Sequence, residues 1–284
     1  MQNNQSFLLS MKKLNYQDLF SGIGGFSLGF EQAGYHFDKH YYSEINKYAI
    51  QVYQKHFPTA VGLGTITGIK PEELGKIDII TFGFPCQDLS SAGNRAGYSG
   101  KRSVLFFEAI RLIQELKPSV FIFENVEGLL THGEGRTFET TLRTIADLGL
   151  YECEWQLLNS RWFLPQNRPR IYFIGYLEKK SIQKVFPFTQ EDIKNRWKKS
   201  AKRVVSDCLT CSSAGGATAG GSMIRKTKNG LRVLTEVECE RLQGFPDNWT
   251  KGITKRQRYK ACGNAVSVPI TRYIAQKLKE SVIW

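Results

Sequence analysis

The stretch Asp18-Leu19-Phe20-Ser21-Gly22-Ile23-Gly24-Gly25-Phe26 decides the reading of the fold. Before it, Asn15 to Phe20 has the apolar character of a strand. After it, Phe26 to Ala33 reads as a helix closed by Gly34 as a left-handed cap. Glycines between a strand and a helix let backbone approach a ligand closely, and the start of the helix offers free N–H groups. Glu44 follows the next strand candidate, Phe37 to Ser43, where a carboxylate can accept hydrogen bonds from ribose hydroxyls. A tight strand–helix turn beside a surface acid explains the same residues without any ligand.

Outward from this turn the alternation continues. Asn46 to His56 reads as a helix, Ile77 to Phe82 as a β-branched strand, Leu105 to Leu116 as a helix ended by Lys117-Pro118. Val120 to Phe123 is a short apolar strand, Phe138 to Leu148 a helix before Gly149, and Arg170 to Tyr176 another strand. Strands alternating with helices predict an α/β fold with a mostly parallel sheet covered on both faces. Further on, Thr235-Glu236-Val237-Glu238 has the form of a capping box, and Pro269 to Lys279 reads as a final helix with proline in its first turn.

Composition sets the outer limits. The 284 residues are 41% hydrophobic, 12% aromatic and 23% charged, which excludes a disordered or collagen-like chain. The formal net charge of +13 favours a polyanionic partner. No apolar run is long enough to span a membrane, and Phe7-Leu8-Leu9 is too short for a secretory segment. The six scattered cysteines therefore read as reduced thiols in a cytoplasm. Cys208-Leu209-Thr210-Cys211 has zinc-like spacing but no second ligand pair, so no metal is expected. From Glu178 to Arg203, nine Lys/Arg stand against three Asp/Glu, with Phe186, Phe188 and Trp197 interleaved. The glycine-rich run Ser212 to Gly221 reads as a loop.

Three further strand-end stretches can carry chemistry. Gly83-Phe84-Pro85-Cys86-Gln87 puts a cysteine where βα loops carry active sites, although most lone cysteines are small buried hydrophobes. Phe123-Glu124-Asn125-Val126 sets a carboxyl after an apolar run. It either emerges at the strand end or has a buried partner, and a desolvated carboxyl suits a proton donor. Gln166-Asn167-Arg168-Pro169-Arg170 places two guanidiniums on one side of an extended segment, a clamp for a carboxylate, phosphate or carbonyl oxygen.

Taken in order, these stretches resemble the DNA (cytosine-5) methyltransferases. Asp18 to Phe26 is similar to that family's first motif, Gly83 to Gln87 to its Pro-Cys loop, Glu124 to Val126 to its Glu-Asn-Val motif, and Gln166 to Arg170 to its Gln-x-Arg-x-Arg motif. Arg241-Leu242-Gln243-Gly244-Phe245-Pro246, within Arg232 to Trp249, and Gly263-Asn264-Ala265-Val266-Ser267-Val268-Pro269 are similar to the last two. The resemblance runs from Leu14 to the C-terminus. It implies a class I, Rossmann-like S-adenosylmethionine-dependent methyltransferase that modifies a cytosine flipped out of duplex DNA. The same fold in a tRNA methyltransferase, or in a catalytically silent DNA-binding relative, is the alternative.

The resemblance also implies roles. Cys86 would be the nucleophile, Glu124 would act at ring nitrogen 3, and Arg168 and Arg170 would orient the base. Phe20, Gly22, Ile23, Gly24, Glu44, Thr65, Ile66, Leu105, Asn264 and Val266 would form the cofactor pocket. Gln87 and the basic residues Lys194, Arg196, Lys198 and Lys199 would meet DNA. Thr65 stands where the family usually carries an acid, which predicts weaker cofactor binding. Residues 1–13 are expected to be a tail, 14–176 the catalytic domain, 177–262 a small recognition domain with its variable part at 177–231, and 263–284 a segment returning to the catalytic domain. That variable part is short for the family, so a short or degenerate recognition site or a helper subunit is expected. A monomer without membrane attachment is expected, in a bacterial cytoplasm at the nucleoid or encoded by a phage. A cognate restriction endonuclease is a candidate partner.

Overall fold

The computed structural model describes residues 13–84, 104–181, 183–189, 208–209, 224–227, 230–282 and 284. Seven strands form one sheet in the order β3-β2-β1-β4-β5-β7-β6. They are β1 (Leu14–Leu19), β2 (Phe37–Ser43), β3 (Val61–Gly62), β4 (Ile79–Phe82), β5 (Val120–Val126), β6 (Tyr151–Asn159) and β7 (Pro169–Leu177). The first five are parallel, and β7 runs antiparallel between β5 and β6. The helices α1 (Gly25–Gln32), α2 (Lys47–His56), α3 (Val104–Leu116), α4 (Gly128–Thr131) and α5 (Arg136–Ala146) lie between strands in sequence. A hairpin of β8 (Ile224–Thr227) and β9 (Gly230–Val233) precedes α6 (Glu236–Gln243), α7 (Lys255–Asn264) and α8 (Val268–Ser281).

Side-chain alternation explains why both faces are covered. Along β5, Val120 and Ile122 join one apolar cluster with Phe26 and Phe30 of α1 and Tyr273, Ile274 and Leu278 of α8. Phe121 and Phe123 join the other, with Phe106, Ala109 and Ile113 of α3. Phe82, Phe123 and Phe173 are register neighbours on β4, β5 and β7. Their rings stack at 4.9 and 4.3 Å, each pair adding about 0.5–1.5 kcal/mol beyond its buried area. Because the order reverses between β1 and β4, the loops after these two strands diverge and leave a crevice at the carboxyl edge.

Several expectations are met within a residue or two, and three differ. β5 runs on through Glu124 to Val126, so the carboxyl sits inside the strand. β6 went unread: YECEWQLLN mixes charged and apolar residues at the sheet edge. The third difference concerns Phe186 and Phe188, read as part of a basic nucleic-acid-facing stretch. Both are buried with Val185 in the main core, where Phe188 packs edge-on to Tyr273 at 4.6 Å. Glu154 of β6 accepts hydrogen bonds from Val185 N at 2.8 Å and Phe186 N at 3.1 Å. The chain expected to leave the catalytic domain at residue 177 thus stays on it through Phe188.

The final helix does return to the first. Thr271 Oγ1 donates to Gly25 O at 3.0 Å, and Tyr35 OH donates to Ala275 O at 3.1 Å. The capping box is present too: Glu238 N donates to Thr235 Oγ1, and Thr235 N donates to the Glu238 carboxylate.

Candidate active site

The turn after β1 is built from left-handed residues: Phe20 at φ 51°, Gly22 at 54° and Gly24 at 84°. At Gly24 a Cβ would fall 2.4 Å from the Phe57 ring, so no other residue fits. Gly22 N donates to Glu44 Oε2 at 3.0 Å, while Glu44 Oε1 accepts from Ile45 N and Asn46 N at 2.8 Å each. Glu44 is therefore fixed against the turn, at the end of β2. Ile45 beside it is 79% exposed, an apolar side chain held out next to the turn that had not been singled out in the sequence. Phe20 and Leu105 pack against the cluster that contains Ile66. Thr65 is exposed, its Oγ1 3.2 Å from Thr67 Oγ1, and no described atom lies within 4 Å of where a Cβ on Gly64 would stand. Asn264 is exposed at the end of α7, and Val266 reaches the turn, since a Cβ on Gly25 would fall 2.6 Å from Val266 Cγ2.

The second half of the site lies across the crevice. Arg170 Nε stands 3.0 Å from Glu124 Oε1, both side chains largely buried. Glu124 is register partner to Tyr172, so alternation sets Glu124, Arg170 and Tyr172 on one face of β5 and β7. The expected partner of a carboxyl in an apolar strand is thus the second arginine of the clamp. Gly83, just past β4, lies alongside: its Cβ would be 3.5 Å from Glu124 Oε2 and 3.8 Å from Val266 Cγ1. Gly83 thus stands between the Glu124 carboxylate and Val266. Cys86, Gln87, Lys194, Arg196, Lys198 and Lys199 lie outside the described residues, as do Trp197, Cys211 and the glycine-rich run.

Arg168 serves a different purpose from its neighbour. It is buried, donating through Nη1 to Leu209 O at 2.7 Å and through Nη2 to Gly263 O at 3.1 Å and Ala265 O at 2.9 Å. Burial first, and the Arg170 charge second, lower its pKa from the ordinary arginine value. Its Nη2 is spent on the two carbonyls flanking Asn264, so it ties that segment to β7.

Two buried networks were not read from the sequence. Asp18 accepts from Ser27 Oγ at 2.7 Å, Thr81 Oγ1 at 3.0 Å and Tyr53 OH at 3.3 Å. Burial, only partly offset by these donors, raises its pKa to about 7. His40, whose Nε2 is 2.8 Å from Tyr53 OH, is pushed down to about 4 by burial. Glu240 is wholly buried and accepts from Asn248 N at 2.7 Å, Thr250 N at 2.9 Å and Arg258 Nη2 at 2.8 Å. This closes the loop that carries Trp249. A polar residue at a helix-facing strand position was the only local signal for Asp18; nothing local announced Glu240.

Comparison with known proteins agrees with this geometry. The profile of the C-5 cytosine-specific DNA methylase family matches residues 14–219 and 210–280. The chain is 36% identical over 304 residues to Type II methyltransferase M1.ScrFI of Lactococcus lactis subsp. cremoris, covering 93% of this chain and 77% of that protein. It is 36% identical over 288 residues to Type II methyltransferase M.NgoBI of Neisseria gonorrhoeae, covering 89% of each. Among solved structures, Entamoeba histolytica methyltransferase EhMeth superposes with a TM-score of 0.75 at 20% identity, covering 95% of this chain and 99% of that one. S. pombe Dnmt2 gives 0.71 at 19%, covering 94% and 99%. These two structures share the fold.

Proposed function

The chain belongs to the C-5 cytosine-specific DNA methylase family and is an S-adenosylmethionine-dependent DNA (cytosine-5) methyltransferase; from that premise we propose how its residues divide the work. The observation that carries the proposal is the Glu124–Arg170 pair beside Gly83, one residue from Phe84 and three from Cys86.

The residues present fit the cofactor. The left-handed turn, the Glu44 carboxylate held beside it, exposed Ile45 and the open space at Gly64 make a ledge for a ribose and a flat base. Glu44 would accept from the ribose hydroxyls, Ile45, Ile66 and Phe20 would flank the base, and Asn264 and Val266 would face the methionine moiety. When bound, S-adenosylmethionine supplies the electrophilic methyl group that carbon 5 of cytosine accepts.

Cytosine carbon 5 is a poor nucleophile. The Cys86 thiolate adds to carbon 6, and the electron pair moves into the ring. Glu124 gives a proton or hydrogen bond to nitrogen 3 as this charge develops, and Arg170 holds the carbonyl oxygen. Once carbon 5 carries the methyl group, its proton passes to solvent, the released pair re-forms the 5,6 double bond, and the carbon 6–sulfur bond breaks so that Cys86 leaves as thiolate. The base is flipped out, since neither face of a stacked pyrimidine is open to a thiol. Lys194, Arg196, Lys198 and Lys199 hold phosphates, and Gln87 meets the DNA beside the nucleophile.

We propose a monomeric enzyme acting on duplex DNA in a bacterial cytoplasm, and the type II names of the relatives support a cognate restriction endonuclease as partner. Among the described residues no helix is long and apolar enough to cross a membrane. The test is transfer of labelled methyl to duplex DNA and to tRNA by the chain and by Cys86→Ala. We expect DNA to be labelled, the variant to be inactive, and a covalent adduct with 5-fluorocytosine duplex to form only with Cys86. Full activity of Cys86→Ala refutes the nucleophile, and labelling of tRNA alone refutes the substrate. Bisulfite sequencing of DNA from expressing cells reads out the recognised sequence.

A further inference from the structure

Gln166, Arg168 and Arg170, beside their other contacts, all reach one dipeptide, Cys208-Leu209. Gln166 Oε1 accepts from Leu209 N at 3.0 Å. Arg168 Nη1 donates to Leu209 O at 2.7 Å and stands 3.4 Å from Cys208 Sγ. Arg170 Nη2 stands 3.6 Å from the same sulfur. Leu209 is buried among Leu234, Leu242 and Tyr259, so the dipeptide is anchored on both its backbone and its side chain.

We infer that Cys208 is a positioning residue for methyl transfer, acting through Arg170 on Glu124. The inference rests on the reading in the preceding subsection. The Cys208 thiol donates to Leu209 O at 3.4 Å, which leaves the sulfur lone pairs to accept from the two guanidiniums. Arg170 is then held along three edges of its plane: Nε on Glu124 Oε1 at 3.0 Å, Nη1 on Pro169 O at 2.7 Å, Nη2 on the sulfur. A guanidinium is a rigid fork, so fixing its far edge fixes the edge that meets the carboxylate. Loss of the sulfur frees Arg170 to rotate away from Glu124 at the moment charge develops on the base. Cofactor contacts, on the other side of Arg168, stay in place.

The test is single-turnover methyl transfer to duplex DNA by Cys208→Ala, Cys208→Ser and Arg170→Lys, with the Cys208→Ala/Arg170→Lys double variant. Calorimetric binding of S-adenosylhomocysteine runs alongside. We expect Cys208→Ala to slow transfer about tenfold, the size of a lost hydrogen bond to a charged group. KM for DNA and cofactor affinity stay within about twofold, and Cys208→Ser recovers most of the rate because its hydroxyl also accepts. In the Arg170→Lys background Cys208→Ala costs nothing further. Unchanged transfer by Cys208→Ala, lost cofactor binding, no recovery in Cys208→Ser, or the same tenfold loss without Arg170 each overturns the inference. A wild-type chain that methylates no duplex overturns the functional reading instead.

Discussion

The indole N–H of Trp249 donates to the backbone carbonyl of Ile23 at 2.9 Å, across 226 residues of sequence. Ile23 sits inside the glycine turn, so the loop following α6 fastens that turn from the opposite end of the chain. His56 stacks on the indole with centroids 3.5 Å apart and donates from Nε2 to Trp249 O at 2.8 Å. Phe245 and Ile253 pack in the same cluster as Ile23 and Tyr53. Two ring faces and one hydrogen bond thus set where the turn stands.

Trp249→Phe keeps a ring in the cluster and removes the N–H. The Ile23 carbonyl then loses its buried donor, at a cost of about 1–3 kcal/mol. S-adenosylhomocysteine should bind roughly tenfold more weakly by calorimetry, with a lower Tm in the apo chain. Wild-type affinity in this variant would show that the turn needs no support from the loop.

The seam between α1 and α8 is the second dependence. At Gly29 a Cβ would fall 2.1 Å from Thr271 Oγ1 and 2.8 Å from Arg272 N, and φ there is ordinary, so the objection to a side chain is steric alone. Gly29→Ala should push the helices apart and destabilise the fold by about 1–3 kcal/mol in urea unfolding, despite alanine's better helix propensity. Because α8 carries on from Val266, cofactor affinity should fall with stability. A Gly29→Ala chain as stable as the parent would mean that the seam yields.

The glycine turn, the strands around it and the final helix were legible because local residues dictate them: positive φ favours glycine, and a proline in the first turn starts a helix. The end of β5 was not. A carboxylate after three apolar residues reads as a strand end, and only the antiparallel β7 supplies the cation that lets Glu124 stay inside. β7 is positioned by β6, whose mixed pattern reflects an edge strand half in water. Phe186 and Phe188 misled for a related reason. Their neighbours in sequence are basic, but Glu154 and Gln156 bind the backbone of that segment and turn its rings inward. The contacts of Trp249 and Cys208 were not legible, because each is made to a residue far away in sequence.

Asp18 gives a pH prediction. Its folded pKa, about 7, lies above its ordinary value of 3.8, so the native state holds this proton more tightly than the unfolded chain. That contribution is fully present below about pH 4 and is lost as pH rises toward 7. His40 has the opposite sign: with a folded value near 4 against 6.5, it removes stability as pH falls through that window. Asp18→Asn deletes the first effect and keeps the second. The destabilisation caused by Asp18→Asn should therefore be largest near pH 4.5 and shrink by pH 7.5, measured by urea unfolding at each pH. A difference that is flat or grows with pH would mean that Asp18 is ionised throughout.

At Thr65 the chain carries a hydroxyl where its family usually carries an acid. The residue is exposed and non-helical at φ −77° and ψ 141°, at the start of the short 3-10 turn Ile66–Gly68, with no side-chain cap. Open space at Gly64 adjoins it. A carboxylate here would accept from an amino group of the bound base more strongly than a hydroxyl does, since charge roughly doubles a hydrogen bond. Asp is also a favourable residue at a helix start, so the backbone has no reason to resist it. Thr65→Asp should tighten S-adenosylhomocysteine binding about fivefold to tenfold, with Tm unchanged or slightly higher. Thr65→Val, which keeps the shape and loses the acceptor, should weaken binding by about a factor of three. Equal affinities in all three chains would place the base of the cofactor away from this turn.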